Sequence, residues 1–125
     1  MGRGSSKVGG GKGGGGAKLS TQEQAQLDAI VNTIAPDPVY GRISAKITNQ
    51  AGKDIDKMMN VGDEFVVTWP DGTKFTYEKY SNGWFKRDGM VWDYKDIGRN
   101  IAVFKYPSPQ LPPNNVKFTI RKKNK

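Results

Sequence analysis

The sequence predicts an α+β domain, an antiparallel β-meander of about four to six short strands with two helices packed on it. Three observations lead there. Leu27, Ile30, Val31 and Ile34 recur at the spacing of one helical face, and Ile97, Ile101 and Phe104 do so again. Between those stretches apolar and polar residues alternate, as in Phe65, Val67 and Trp69 and then Phe75 and Tyr77. The turn dipeptides Asn82-Gly83 and Asp88-Gly89 punctuate the alternation too closely for the crossovers of a parallel sheet. Short antiparallel strands of this kind curve into a small open sheet or a partly open barrel.

Residues 1–18 read as a disordered, basic, glycine-rich leader, 19–121 as the single domain and 122–125 as a basic tail. The domain opens on Ser20-Thr21-Gln22-Glu23, a capping box in which Ser20 accepts from the Glu23 amide and Glu23 reaches back. The spacing predicts a helix over 21–35, stopped by Pro36 and Pro38, which lack an N–H and restrict the residue before them. Ile43, Ala45 and Ile47 alternate with Ser44 and Lys46, which predicts a strand over 40–48 and then a turn from Asn49 to Gly52. Residues 53–60 are open between a loop and one helical turn with Ile55, Met58 and Met59 inward.

The meander follows from Val61, with Pro70-Asp71-Gly72 as a turn and short strands at 84–87 and 90–92. Trp84 and Phe85 are adjacent and point to opposite faces, so one of the two is expected to be exposed. Asp93 begins a second helix, with Asp96 in its first turn, where the helix dipole favours a carboxylate. Gly98 costs that helix about 1 kcal/mol relative to alanine, so the helix is short or closely packed. Pro107, Pro109, Pro112 and Pro113 end it in an extended loop. Val116, Phe118 and Ile120 then alternate with Lys117, Thr119 and Arg121 in a last strand with a basic outer face.

The 125 residues carry 20 Lys and Arg against 12 Asp and Glu, a net charge of +8. The excess sits at the ends. Arg3, Lys7, Lys12 and Lys18 face no acid in 1–18, and Lys117, Arg121, Lys122, Lys123 and Lys125 face none in 116–125. Such basic tails attract any polyanion without reading its sequence. Cysteine and histidine are both absent. That excludes disulfides, cysteine zinc sites and the usual serine or cysteine triads, and removes the commonest general base and nitrogen ligand. No cofactor and no metal are expected. The run Ile101-Ala102-Val103-Phe104 falls far short of the roughly 18 residues that cross a bilayer. The basic N-terminus leads into no apolar stretch, so neither a secretory signal nor a membrane partner is expected.

Nine of the first sixteen residues are glycine. A phosphate-cradling Walker loop needs a strand before it and Gly-Lys-Ser/Thr opening a helix after it. Lys12 is followed by Gly13 and no apolar strand precedes it, so a flexible leader is the better reading. The stretch "MGRGSSKVGGGKGGGG" resembles the starts of small accessory proteins of phages and prophages of Gram-positive bacteria. That resemblance covers about the first 16 residues; it implies a phage or prophage origin and assigns no activity and no residue role.

Aromatics crowd 65–94, with Lys74, Lys79, Lys86 and Arg87 interleaved. Most of them are needed as core, but strand parity leaves room for a contact patch. The candidate surface is Trp84, Phe85, Lys86 and Arg87 with Lys79 and Lys74. The acid pairs Asp54/Asp56, Asp63/Glu64 and Asp93/Asp96 have plainer roles as a loop, a strand start and a helix cap. Pro109-Gln110-Leu111-Pro112 fits PxxP, but such a match is common by chance and a rigid spacer leading into the last strand is the better reading.

The expectation is a non-catalytic phage-type accessory protein in the host cytoplasm or the virion. It would bind a host or virion protein or nucleoprotein, either as a minor virion component or as an inhibitor of a host defence nuclease. Its basic tails would add attraction for DNA or RNA. A histidine-free ribonuclease or toxin, with Arg42, Lys46, Arg87 and Arg99 as the first residues to test, is one alternative. A module for single-stranded nucleic acid is the other.

Overall fold

A computed structural model describes residues 17–107 and 113–123. The expectations placed on Arg3, Lys7, Lys12, Lys125, the glycine run and the PxxP segment lie outside those residues. Six strands form one antiparallel sheet: β1 (Ala17–Lys18), β2 (Glu64–Thr68), β3 (Lys74–Ser81), β4 (Trp84–Arg87), β5 (Met90–Asp93) and β6 (Lys117–Lys122). Their order is β1-β6-β2-β3-β4-β5, so the sheet is open, with edges at β1 and β5. The expected hairpin turns are where the dipeptides put them. Asp88 and Gly89 both take positive φ (52° and 76°), which a two-residue β4–β5 turn requires.

Three helices cover one face of this sheet, α1 (Thr21–Asn32), α2 (Ala45–Met58) and α3 (Tyr94–Lys105), where two were expected. α1 keeps its capping box, with the Glu23 amide donating to Ser20 Oγ and the Ser20 amide to Glu23 Oε1, both at 3.1 Å. It stops at Asn32 rather than 35, yet Ile34 just beyond is still fully buried. α3 is capped the same way by Asp93 and Asp96.

The expected strand over 40–48 and turn at 49–52 do not form; α2 occupies most of that span. Ser44 is not an outward strand residue but the N-cap, its Oγ accepting from the Ile47 amide. The apolar series that counts is Ile47, Ala51 and Ile55 at i, i+4, i+8, which lines the core face of a helix. Gly52 does not turn the chain. It lies mid-helix because α3 crosses there. A Cβ on Gly52 would strike the Tyr94 carbonyl, and one on Gly98 would strike the Thr48 carbonyl. The two helices thus run antiparallel with their backbones in contact, which is the close packing that Gly98 signalled.

The core lies between the helices and the sheet. Phe65, Val67, Tyr77, Phe85, Phe118 and Ile120 from the strands meet Leu27, Val31, Ala51, Ile55, Ile97 and Ile101 from the helices, all buried. At one rim Trp69, Phe75 and Phe104 pack edge to face, with centroids 5.4–5.9 Å apart. β6 lies inside the sheet, and its outer edge beyond β1 is closed by α1. There Gln24 donates to the Phe118 carbonyl at 2.9 Å and accepts from the Thr119 hydroxyl at 2.7 Å.

β6 also revises the expected basic tail. Arg121 and Lys122 are strand residues, not loose charges. Arg121 pairs with Glu64 at 2.7 Å, and Lys122 Nζ donates to the Met58 carbonyl at 2.7 Å and lies 3.3 Å from Asp63. The Lys123 amide donates to Asp63 at 2.8 Å. Lys18, expected in the leader, pairs with Arg121 in β1.

Candidate functional site

Strand alternation divides the six candidate surface residues. Phe75, Tyr77 and Lys79 of β3, with Phe85 and Arg87 of β4, point to the helix face. Lys74, Lys86 and Trp84 point to the other face. The structure therefore corrects half of the expected patch. Phe85 is fully buried core, and Lys79 is 2% exposed. Arg87 lies on the helix side at the rim, its guanidinium 4.1 Å from the Phe75 ring centroid and 3.6 Å from Asp88.

Lys79 is buried because α2 ends above it. The last carbonyls of a helix lack partners within the helix. The Lys79 ammonium donates to the carbonyls of Asp56 (2.7 Å) and Met59 (2.8 Å) and sits 3.0 Å from the Asp56 carboxylate. Asp56 also accepts from the Gly83 amide of the β3–β4 turn. The group expected to meet a partner is instead a bolt between helix and sheet.

Among the described residues no helix lies on the opposite face of the sheet. One row of side chains crosses all six strands there: Lys18, Arg121, Glu64, Glu78, Lys86 and Val91. The next row is Thr119, Val66 and Thr76, and the third is Lys117, Thr68 and Lys74. On the other side of the charged row stand Tyr80 and Trp84, 37% and 45% exposed. Tyr80 is the extra residue of a bulge, since the β3–β4 register slips between Lys79 and Ser81. Lys86 Nζ lies 4.6 Å from the Tyr80 ring centroid. At about 3.3 Å per residue, the aromatic pair and the Lys74/Lys117 row are about 20 Å apart along the strands.

By register this face carries five bases against three acids among the described residues. Glu64 is bound by Arg121 and the Asp93 carboxylate accepts from the Asp96 amide at the start of α3, so Lys18, Lys74, Lys86 and Lys117 stand against Glu78 and Asp93. A strip of ammonium groups ending in exposed aromatics can hold a phosphate backbone and stack its bases. Sequence reading missed Tyr80, because a bulge is invisible in an alternating pattern. It placed Arg121 on the outer face of the last strand, where it lies, but left Lys18 in the leader, because nothing local signals that Ala17 and Lys18 pair with β6.

The residues named for a ribonuclease are not assembled. Arg87 lies on Phe75 and Arg99 is paired with Asp96. Among the described residues no hydrogen bond or ion pair joins any two of Arg42, Lys46, Arg87 and Arg99. Among the described residues there is also no group of three His, Cys, Asp or Glu placed to hold a metal ion, and no helix long and apolar enough to cross a membrane. No family model, curated protein or solved structure matches this chain.

Proposed function

We propose that this is a non-catalytic accessory protein of the phage or prophage type whose leader it resembles, acting by binding a nucleoprotein. The open sheet face makes the contact and meets the nucleic-acid part as a single strand. The observation that supports this reading is the face itself. It carries a net positive charge from Lys18, Lys74, Lys86, Lys117 and Arg121, with Tyr80 and Trp84 exposed at one end. A duplex offers phosphates but hides the flat faces of its bases, so exposed aromatics favour an unpaired strand. Glu64, Glu78 and Asp93 set a weak affinity on the bare strand, and protein contacts in the nucleoprotein supply the rest.

The test is fluorescence anisotropy of a labelled oligothymidylate with the full chain, across a salt series. Trp84→Ala should weaken binding by about fivefold or more, the value of one lost stack. Lys74→Gln, Lys86→Gln and Lys117→Gln should each flatten the slope of log K against log salt by about 0.7. Equal binding by wild type and all four variants would place the contact elsewhere, as would equal competition by duplex. Truncation is the wrong control, because cutting at 116 removes a strand from inside the sheet.

A further inference from the structure

We infer that a concavity at the lysine end of the open face, between α1, the start of β6 and the β2–β3 turn, binds a terminal phosphomonoester. The concavity measures about 680 Å³, within the roughly 300–1,000 Å³ of small-ligand sites. Lys74, Lys105 and Lys117 line it with Thr68, and Asp28 is the one carboxylate among its described lining residues. Asp28 is engaged from α1, accepting from Gln24 at 2.9 Å.

The three lysines come from three elements. Lys74 and Lys117 both pair with Thr68, one from each side, so their strands lie about 10 Å apart across it. Lys105 ends α3. Its ammonium donates to the carbonyls of Val31 and Ile34, each at 2.9 Å, and so closes the end of α1. An ammonium has three protons; beyond those two carbonyls the Lys105 ammonium faces the Tyr106 ring at 5.4 Å and has no further oxygen acceptor among the described residues, which leaves a proton for a ligand. Among the described residues no carboxylate lies within ion-pair distance of any of the three.

That arrangement suits an anion. Burial pushes the Lys105 ammonium below its usual pKa, because nothing of opposite charge offsets its lost water. A phosphate seated beside it supplies that charge. A monoester fits better than the diester of a continuing backbone, since it brings up to two charges to three cations. Two sources carry this chemistry: the end of a nucleic-acid strand, and a mononucleotide. The first rests on the proposed binding of a strand by the open face; the second does not.

The test titrates the full chain by NMR, first with inorganic phosphate and then with thymidine monophosphate. Oligothymidylates with and without a terminal phosphate follow by anisotropy. Phosphate and nucleotide should shift the side-chain resonances of Lys105 and raise its titration midpoint toward the ordinary lysine value. The terminally phosphorylated strand should bind about tenfold more tightly than the bare one, and Lys74→Gln with Lys117→Gln should abolish that difference. Both positions are exposed, so the double variant should keep the wild-type melting temperature. No response at Lys105 to phosphate, with phosphorylated and bare strands binding alike, overturns the inference and leaves the open face standing. Response to phosphate and nucleotide without any strand binding keeps the concavity as a nucleotide site and sinks the strand reading instead.

Discussion

Substituting alanine for Gly98 tests the α2–α3 contact that organises the helix layer. On propensity alone Gly98→Ala stabilises a helix by about 1 kcal/mol. The structure predicts the opposite sign. A Cβ on Gly98 falls on the Thr48 carbonyl oxygen and 2.7 Å from its carbon, and a Cβ on Gly52 falls 2.9 Å from the Tyr94 carbonyl carbon. Carbon contacts settle at about 3.5–4.0 Å, so the helices must part by about 0.8 Å or more. Both neighbours are backbone, and no side chain can rotate away. A gap of about that size forfeits a quarter to a half of the dispersion energy along the seam.

Overpacking of this kind costs about 1–3 kcal/mol, and backbone-on-backbone contact puts it at the top of that range. Subtracting the propensity gain leaves a net loss of about 2 kcal/mol. For a domain near a hundred residues that lowers the melting temperature by about 8–16 °C. Gly72→Ala is the contrast. Nothing lies within 4 Å of its Cβ, and only its φ of 93° resists substitution. The double variant Gly52→Ala with Gly98→Ala should lose less than the two single losses together, because one separation accommodates both. Urea and thermal melts decide the matter. A Gly98→Ala protein as stable as wild type, or more so, refutes the close crossing.

Two further substitutions probe buried charge. Asp63 is 2% exposed. Burial alone would raise its carboxyl, but the amides of Lys123 and Asn60 and the Lys122 ammonium outweigh burial and hold it below the ordinary value. Such a group stabilises the fold above its unfolded pKa, and that contribution fades as pH falls through the folded one. Asp63→Asn should cost about 1–3 kcal/mol at pH 7 by leaving one buried amide without an acceptor. Urea midpoints of the variant and wild type should converge below about pH 4, and a gap that stays constant into acid rejects the assignment. Lys79→Met removes the ammonium that closes α2 and should cost about 3 kcal/mol; a change under about 0.5 kcal/mol would make it an ordinary surface position.

What could be read in the sequence was local. Ser20 and Glu23, Asp93 and Asp96, and the two Asx-Gly turns each satisfy their own backbone within a few residues, so composition reveals them. α2 was hidden because its evidence is distant. Ile43, Ala45 and Ile47 alternate by chance, and Gly52 looks like a turn until Gly98, far along the chain, is seen to need it there. The patch failed the same way. Lys79 reads as a surface cation because its acceptors belong to a helix that the pattern does not predict, although it shares the inner-face parity of Tyr77. Trp84 opposite Phe85 was legible, since alternation alone decides it.

The charge pattern changes meaning once folded. In the sequence the cations crowd two ends, as far apart as the chain allows. In the sheet β1 pairs with β6, with Ala17 opposite Lys122 and Lys18 opposite Arg121. Lys18 of the first cluster therefore meets Arg121 of the second at one edge, which borders the open face. Arg3, Lys7 and Lys12 are tethered to that edge through Ala17, whatever path they take. The Lys117 side of the same strand borders the concavity. β6 thus joins the leader's charges, the uncovered face and the proposed phosphate seat along one strand. Its side chains alternate between core (Phe118, Ile120) and cation (Lys117, Arg121), while Thr119 ties it to α1 and Lys122 to the end of α2 and to Asp63. A strand needed only for the core could carry any polar residue outward. One that carries basic residues at both outer ends favours the proposed anionic partner, since clustered positive charge raises the local concentration of anions.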